Sequence, residues 1–183
     1  MPGTFEHHLK EVENDFWNNR FGDYGQWKKD WFDAYLEKGY FDLYTGFRIY
    51  GSHRRNQVCN YPVQGSAFHC LLWTLIQVNK ALRHYKMKSK VVGQIHDSLI
   101  GDVRENELTY YLELVEHIVT VKLRKHYPWL IVPLEVEYEI CARGASWFEK
   151  KETKFKEGRF AHPKDPTKWT SSSAQFLDAL GRT

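Results

Sequence analysis

The 183-residue chain is short of the features that assign a protein quickly. Its cysteines, Cys59, Cys70 and Cys141, are an odd count at wide spacing with no CxxC pair, which argues against a disulfide framework and a cysteine-based structural zinc site. A reducing compartment is expected from that usage. No apolar run approaches the roughly 18 residues that span a bilayer. The opening MPGTFEHHLKEVENDF lacks the apolar core of a secretory signal. The expectation is a soluble, cytoplasmic protein with no membrane contact. Charge of one sign is scarce too: the formal balance is +3, compatible with a polyanionic partner but far from that of an autonomous nucleic-acid binder. What the chain has is aromatic residues, 16% of the total within a 42% hydrophobic composition, enough for one real core and one main domain.

No internal repeat is present. From Phe16 to Gly39 aromatics and charges interleave (FWNNRFGDYGQWKKDWFDAYLEKG), with Trp27, Trp31 and Tyr35 on one helical face. Gly39 stops that helix, and YFDLYTGFRIYG predicts a small hairpin turning at Thr45-Gly46. Pro62 and Gly65 mark the irregular start of a second helix, in which Phe68, Leu71, Leu72, Leu75, Val78 and Leu82 keep helical period to about Lys86. A third helix is expected with Asn106 as its cap, Glu105 and Glu107 near its positive end, Lys122, Arg124, Lys125 and His126 near its negative end, and Pro128 beyond it. VPLEVEYEI, Val132 to Ile140, alternates as a strand with one face buried. Beyond Trp147 the lysine-rich, aliphatic-poor, proline-interrupted sequence predicts a tail or arm rather than core.

The stretch QIHDSLIGDV, Gln94 to Val103, carries His96 and Asp97 where two strands should meet. VVGQI is apolar enough for a central strand and SLIGDV for its return, so Asp97 would sit at the turn and point off the sheet. A carboxylate on such a rigid edge suits a divalent metal, since Mg²⁺ takes one or two protein carboxylates and fills its octahedron with water and phosphate oxygens. Asp and Ser are also good turn residues that bond local backbone, and on this decapeptide alone that simpler account is the stronger.

Some thirty residues upstream, Asn60, Pro62, Gln64 and Gly65 stand in the pattern N-x-P-x-Q-G-[ST]-A at the head of a long helix. This segment, followed by a helix, a strand and a His-Asp turn, resembles the family A DNA polymerases of the bacterial DNA polymerase I type. The likeness extends upstream through FWNNRFGDYGQWKKDWFDAYLEKGYFDLYTGFR and downstream through VPLEVEYEICARGASWFE, covering roughly Phe16 to Phe148. The implied fold is α+β: a partial polymerase palm, an antiparallel sheet with a central His-Asp hairpin packed on long helices. Residues 1–150 would be the C-terminal fingers and palm portion, and 151–183 a basic C-terminal tail.

The resemblance implies template-directed nucleotidyl transfer with two Mg²⁺ ions, Asp97 being one of the two carboxylates that hold them. His96, expected on the opposite face by strand alternation, would touch the primer terminus; a packed, hydrogen-bonded histidine is the competing account. Gln64 and Asn60 would read minor-groove acceptors common to all base pairs, against a role in capping the helix start. Arg54, Arg55 and His53 would meet phosphates or the primer-template minor groove, against solvated surface charge. Primer-template DNA and dNTPs are the implied ligands.

Two positions depart from the family pattern. The arginine often found four residues before the motif's asparagine is Asn56 here, with Arg54 and Arg55 just ahead, and the residue after the catalytic aspartate, commonly glutamate, is Ser98. A His-Asp-Ser turn also occurs in the related single-subunit RNA polymerases of phage type, so a fragment of such an enzyme is the nearest alternative; a non-catalytic DNA-binding or assembly module with the palm fold is the other. Nothing between Met1 and Phe16 resembles the family's first metal-binding aspartate strand or its nucleotide-binding helix. The chain is therefore read as the C-terminal piece of a split viral or phage polymerase, in the host cytoplasm, sharing both metal ions with an N-terminal chain that supplies fingers and the rest of the palm. A shortened chain would read the same way. The interface with that chain is expected to be obligate, with the Trp27, Trp31 and Tyr35 stripe and the segment around Phe176, Leu177 and Leu180 as candidates for burial in it.

Overall fold

Aromatic and aliphatic residues at three- and four-residue steps build the helices of the N-terminal part, and a computed structural model, describing residues 3–181, shows where they pack. The chain divides into two compact units, Met1–His69 and Cys70–Thr183, each with its own core. The tail of the sequence reading ends in Arg182 and Thr183, which lie outside the described residues.

The first unit opens with α1 (Phe5–Asp15), which the sequence reading does not contain. Thr4 caps it by accepting the His7 amide, and Phe5, Leu9, Val12 and Phe16 run along it in helical step, all exposed. A π-helical turn, Phe16–Arg20, leads to α2 (Gly22–Lys38), which ends on Gly39 in the left-handed conformation at φ 75°. The expected hairpin follows as β1 (Tyr40–Asp42) and β2 (Arg48–Tyr50), antiparallel, turning through Gly46 at φ 82°. Tyr35, Phe41, Leu43 and Val58 form the core of this unit, with Trp31, Phe32, Ile49 and Tyr61 against it. Of the stripe, Tyr35 lies in this core, Trp31 is half-buried against it, and Trp27 is half-buried.

The long helix α3 (Arg55–His84) starts seven residues before Pro62, not at it. Arg54 precedes the helix, its amide donating to the Gln57 side chain while its carbonyl accepts the Gln57 and Val58 amides. A proline inside a helix has no N–H for the carbonyl four residues back, here that of Val58. The Trp31 indole fills that vacancy, Nε1 donating to the Val58 oxygen at 3.0 Å. Gly65 is likewise a packing residue, since a Cβ there would lie 2.7 Å from Leu43 Cδ1. The buried line of α3 is Val58, Pro62, Ser66, Cys70, Thr74, Val78 and Leu82. Of the apolar stripe read from sequence, Phe68 and Leu72 are exposed, because close approach selects small residues on the packed side. The two buried hydroxyls are satisfied: Ser66 Oγ accepts the Tyr44 amide, and Thr74 Oγ1 donates to the Cys70 carbonyl.

In the second unit, β3 (Lys90–Ile95) and β4 (Ser98–Asp102) form an antiparallel hairpin. It stands as its own two-stranded sheet, so β3 is not a central strand among the described residues; Val92 and Ile95 are 60% and 53% exposed. The third helix is present as a 3-10 turn Glu105–Glu107, α4 (Leu108–His117), a π turn Ile118–Lys122 and α5 (Leu123–His126), with Asn106 inside the first turn and making no cap. The strand expected over 132–140 shrinks to β5 (Tyr138–Ile140), paired with β6 (Lys151–Thr153). Its alternation holds, with Leu134, Val136, Tyr138 and Ile140 turned inward and the glutamates exposed, but residues 132–137 have no ladder partner.

The segment read as a tail is core. β7 (Phe155–Lys156), β8 (Arg159–His162) and β9 (Asp165–Thr170) make a three-stranded sheet, and α6 (Ser173–Gly181) closes over it. Phe155, Phe160, Phe176 and Leu180 are buried with Val78, Leu82, Leu112 and Ile118, and the Phe160 and Phe176 rings stack at 4.6 Å. Four well-placed apolar side chains suffice where strand alternation turns the lysines outward, and Pro166 falls on the edge strand, where a missing N–H costs least. Phe176 and Leu180 therefore pack within their own unit rather than on a partner.

Trp31→Phe, which removes the donor to Val58, is expected to destabilise the chain by about 1–3 kcal/mol. In a Pro62→Ala background the restored amide satisfies the same carbonyl and the cost should shrink; urea midpoints of the four-variant cycle measure the coupling.

Candidate active site and nucleic-acid interface

The geometry is clearest at the His96-Asp97 turn. Ile95 pairs with Ser98, leaving His96 and Asp97 as a two-residue loop, and His96 has φ 50°. Two-residue hairpins need left-handed backbone, which glycine or asparagine normally supplies; a histidine held there is strained and is what functional turns often carry. The expected strand alternation between the two side chains does not apply, because both lie in the turn, and both are exposed. No hydrogen bond or ion pair from the described residues engages the Asp97 carboxylate, and among those residues no three His, Cys, Asp or Glu side chains converge as a metal site.

The base of this hairpin is tied. The Glu107 carboxylate accepts from the Ser89 hydroxyl at 2.6 Å, the Ser89 amide at 2.8 Å and the Lys88 amide at 2.9 Å, and Ser89 Oγ accepts the Arg104 amide at 3.0 Å. One carboxylate thus clamps the residues just before β3 to those just after β4. The Ser89 hydroxyl and Lys88 amide hold the Glu107 carboxyl below its usual range, with the Ser89 amide and the Arg104 charge adding to them. Further along, a Cβ on Gly101 would lie 2.6 Å from the hydroxyl of buried Tyr111, so the glycine lets β4 rest on α4; burial pushes the Tyr111 phenol up to about 12. Near the same base, the ladder slips between Val91 and Gly93, a β-bulge that bends β3 before it runs to the turn.

The remaining candidates belong to the first unit. Asn60 and Gln64 lie one turn apart on α3, both exposed, and neither caps it, because the helix begins at Arg55. Arg54 and Arg55 are exposed at its start. His53 is half-buried: its ring packs on Tyr61 and Phe41, and its Nε2 lies 3.0 Å from the Tyr50 carbonyl. The Tyr35 hydroxyl fixes this run by accepting the His53 amide at 2.8 Å and donating to the Gly51 carbonyl. Asn56 is exposed beside Arg55, and Ser98 begins β4. The Glu107 clamp and the Tyr35 tie were not foreseen from sequence; an acidic residue at the start of the third helix was the one signal for the former.

Comparison with known proteins gives the family. The sequence model of DNA polymerase family A matches residues 26–149. The chain belongs to DNA polymerase family A. DNA polymerase I of Lactococcus lactis subsp. cremoris is 34% identical over 105 residues, 57% of this chain and 11% of that protein. DNA polymerase I of Mycobacterium tuberculosis H37Rv is 39% identical over 88 residues, 48% of this chain and 9% of that protein. Among solved structures, the POL domain of Pol1 from M. smegmatis in complex with DNA primer-template and dNTP superposes with a TM-score of 0.58 at 28% identity, covering 70% of this chain and 24% of that one. The chain thus spans about a tenth of the curated relatives and a quarter of the solved domain. The mixed helical and small antiparallel-sheet architecture is that of part of a polymerase domain. Among the described residues no helix is long and apolar enough to cross a membrane.

The depressed Glu107 value fixes a pH dependence. The clamp is intact above the unfolded carboxylate value of about 4.3 and is lost as pH falls through the lower folded one. Amide protection across 90–102, referred to the intrinsic exchange rate at each pH, should therefore fall on acidification below that range, and Glu107→Gln should show the lower protection already at neutral pH. Gly101→Ala is expected to cost about 1–3 kcal/mol in urea unfolding, because buried Tyr111 must shift.

Proposed function

We propose that this chain supplies one of the two metal-binding aspartates and part of the primer-template contact surface of a DNA-directed DNA polymerase. The observation that carries the reading is Asp97, exposed and unpaired at a strained two-residue turn in a family A chain. Its carboxylate is a hard oxygen donor with free lone pairs, which fits one ligand position of Mg²⁺. Bound there, Mg²⁺ would neutralise triphosphate charge and acidify the primer 3′-hydroxyl. Asp97 would hold the ions, and His96 would meet the primer terminus. Asn60 and Gln64, a turn apart on an exposed face of α3, would donate their side-chain amide N–H groups to the minor-groove acceptors, while Arg54 and Arg55 would meet phosphates. His53, engaged by Tyr61 and the Tyr50 carbonyl, would hold that arginine pair in place more than contact DNA itself.

The second carboxylate and the nucleotide-binding fingers must come from polypeptide beyond the matched span, either a partner chain, as in a split phage enzyme, or another part of the same protein. The exposed Val92 and Ile95 of the hairpin support this, since a lone two-stranded sheet with an apolar face is marginal until something covers it. The isolated chain should extend no primer. Supplying the rest of the domain should restore Mg²⁺-dependent extension, and Asp97→Ala should lower that rate by about three orders of magnitude or more with assembly unchanged. Near-wild-type turnover in the mutant would remove Asp97 from the chemistry.

A further inference from the structure

The positive charge of the chain lies beyond the span that matches the family. Residues 150–183 hold eight lysines and arginines against four carboxylates, whereas residues 1–149 hold 18 against 19. Strand alternation gathers part of that charge on one face. Thr153 and Phe155 are buried, while Lys154 and Lys156, alternating with them, are exposed. Phe155 pairs with Phe160 and Lys156 with Arg159, and the Ala161 amide donates to the Lys154 carbonyl at 2.9 Å, which carries the ladder one residue further. On the next strand Ala161 pairs with Trp169. The face turned away from Phe155 and Phe160 therefore carries Lys154, Lys156, Arg159 and Trp169, the last 42% exposed.

Left bare, this face is unfavourable. Like charges directly opposite on a sheet repel, and Lys156 stands opposite Arg159, with Lys154 two residues along on the same side. Glu157 answers one of the three cations, 3.3 Å from Arg159, and among the described residues no carboxylate lies within ion-pair distance of Lys154 or Lys156. Trp169 has no ring partner among those residues either.

We propose that this sheet face binds single-stranded DNA, with Lys154, Lys156 and Arg159 on its phosphates and a base stacked on Trp169. Cations beside an aromatic ring hold a strand without reading its sequence. A duplex or an acidic peptide would meet the cations but bring no open base to the ring. The choice of DNA rests on the function proposed above; the charge and the ring do not. The site is additional to the primer-template contacts, whose residues all lie within the matched span.

The full chain is titrated with fluorescein-labelled oligothymidylate and read by anisotropy across a salt series. Lys154→Ala combined with Lys156→Ala should weaken binding about tenfold and lower the slope of log affinity against log salt by about 1.4, the value for two lost single-strand phosphate contacts. Trp169→Ala should weaken it by about the same factor with the slope unchanged, because a lost stack releases no counterions. Lys156→Glu separates binding from folding: it turns a repelling pair into an attracting one, so its urea midpoint should rise while its affinity falls. Wild-type affinity in Lys156→Glu or in Trp169→Ala, or a wild-type slope in the double lysine variant, sinks the proposal. Loss of labelled polyglutamate in step with the oligonucleotide assigns the face to an acidic polypeptide instead. Primer extension by the reassembled domain keeps the two readings apart. Asp97-dependent extension with wild-type binding in every variant removes the sheet site alone, and weakened binding in the variants without any extension keeps a single-strand site on a chain that lacks the catalytic role.

Discussion

One indole proton keeps the longest helix of the protein continuous. Pro62 takes away the amide that the Val58 carbonyl would use, and in a packed position that oxygen would be costly to leave bare. Trp31 supplies the proton from the neighbouring helix, and so ties the first unit's core to the helix in the same contact. With that bond made, Asn60 and Gln64 are consecutive-turn positions of a regular helix rather than parts of an irregular loop. Their separation and common face follow from helical geometry.

The hairpin shows a different division of labour. Its tip is strained and open, with His96 in a conformation that costs on the order of 1–3 kcal/mol and the Asp97 carboxylate exposed and without a hydrogen bond or ion pair from the described residues. Its base is over-determined, with Glu107 accepting three hydrogen bonds and Gly101 seated on Tyr111. A turn of this kind can present a carboxylate in one place because the compensation lies at the far end of the hairpin, in Gly101 and in the residues that flank the two strands.

How much of this could be read from the amino-acid order depends on the range of the forces involved. Gly39, Gly46 and the period of 108–126 act locally, and the elements they mark are where the sequence puts them. The positions of the candidate site residues were legible because the motif spacing is itself local to α3 and to the β3–β4 turn. Pro62 misled because its cost is removed by a residue thirty-one positions upstream, which no window on the helix contains. The segment 151–183 misled because composition averages lysines with the few residues that matter; Phe155, Phe160, Phe176 and Leu180 outweigh the charges between them once strands sort the two faces. Helix α1 carries a local signal, the Thr4 cap and the Phe5, Leu9, Val12 step, and its apolar side is exposed rather than part of the described cores.

The ring stack of Phe160 on Phe176 also sets an order in time. During synthesis the first unit emerges with all its core partners between Trp31 and Tyr61 and can close early. The second unit cannot: Val78 and Leu82 wait for Phe155, Phe160, Phe176 and Leu180, which follow α4 in the chain, so its interior stays open until they emerge. The β3–β4 hairpin and α4 therefore emerge before the residues that complete their core, and the turn at Asp97 is firmly seated only after the strands and helix that follow have folded.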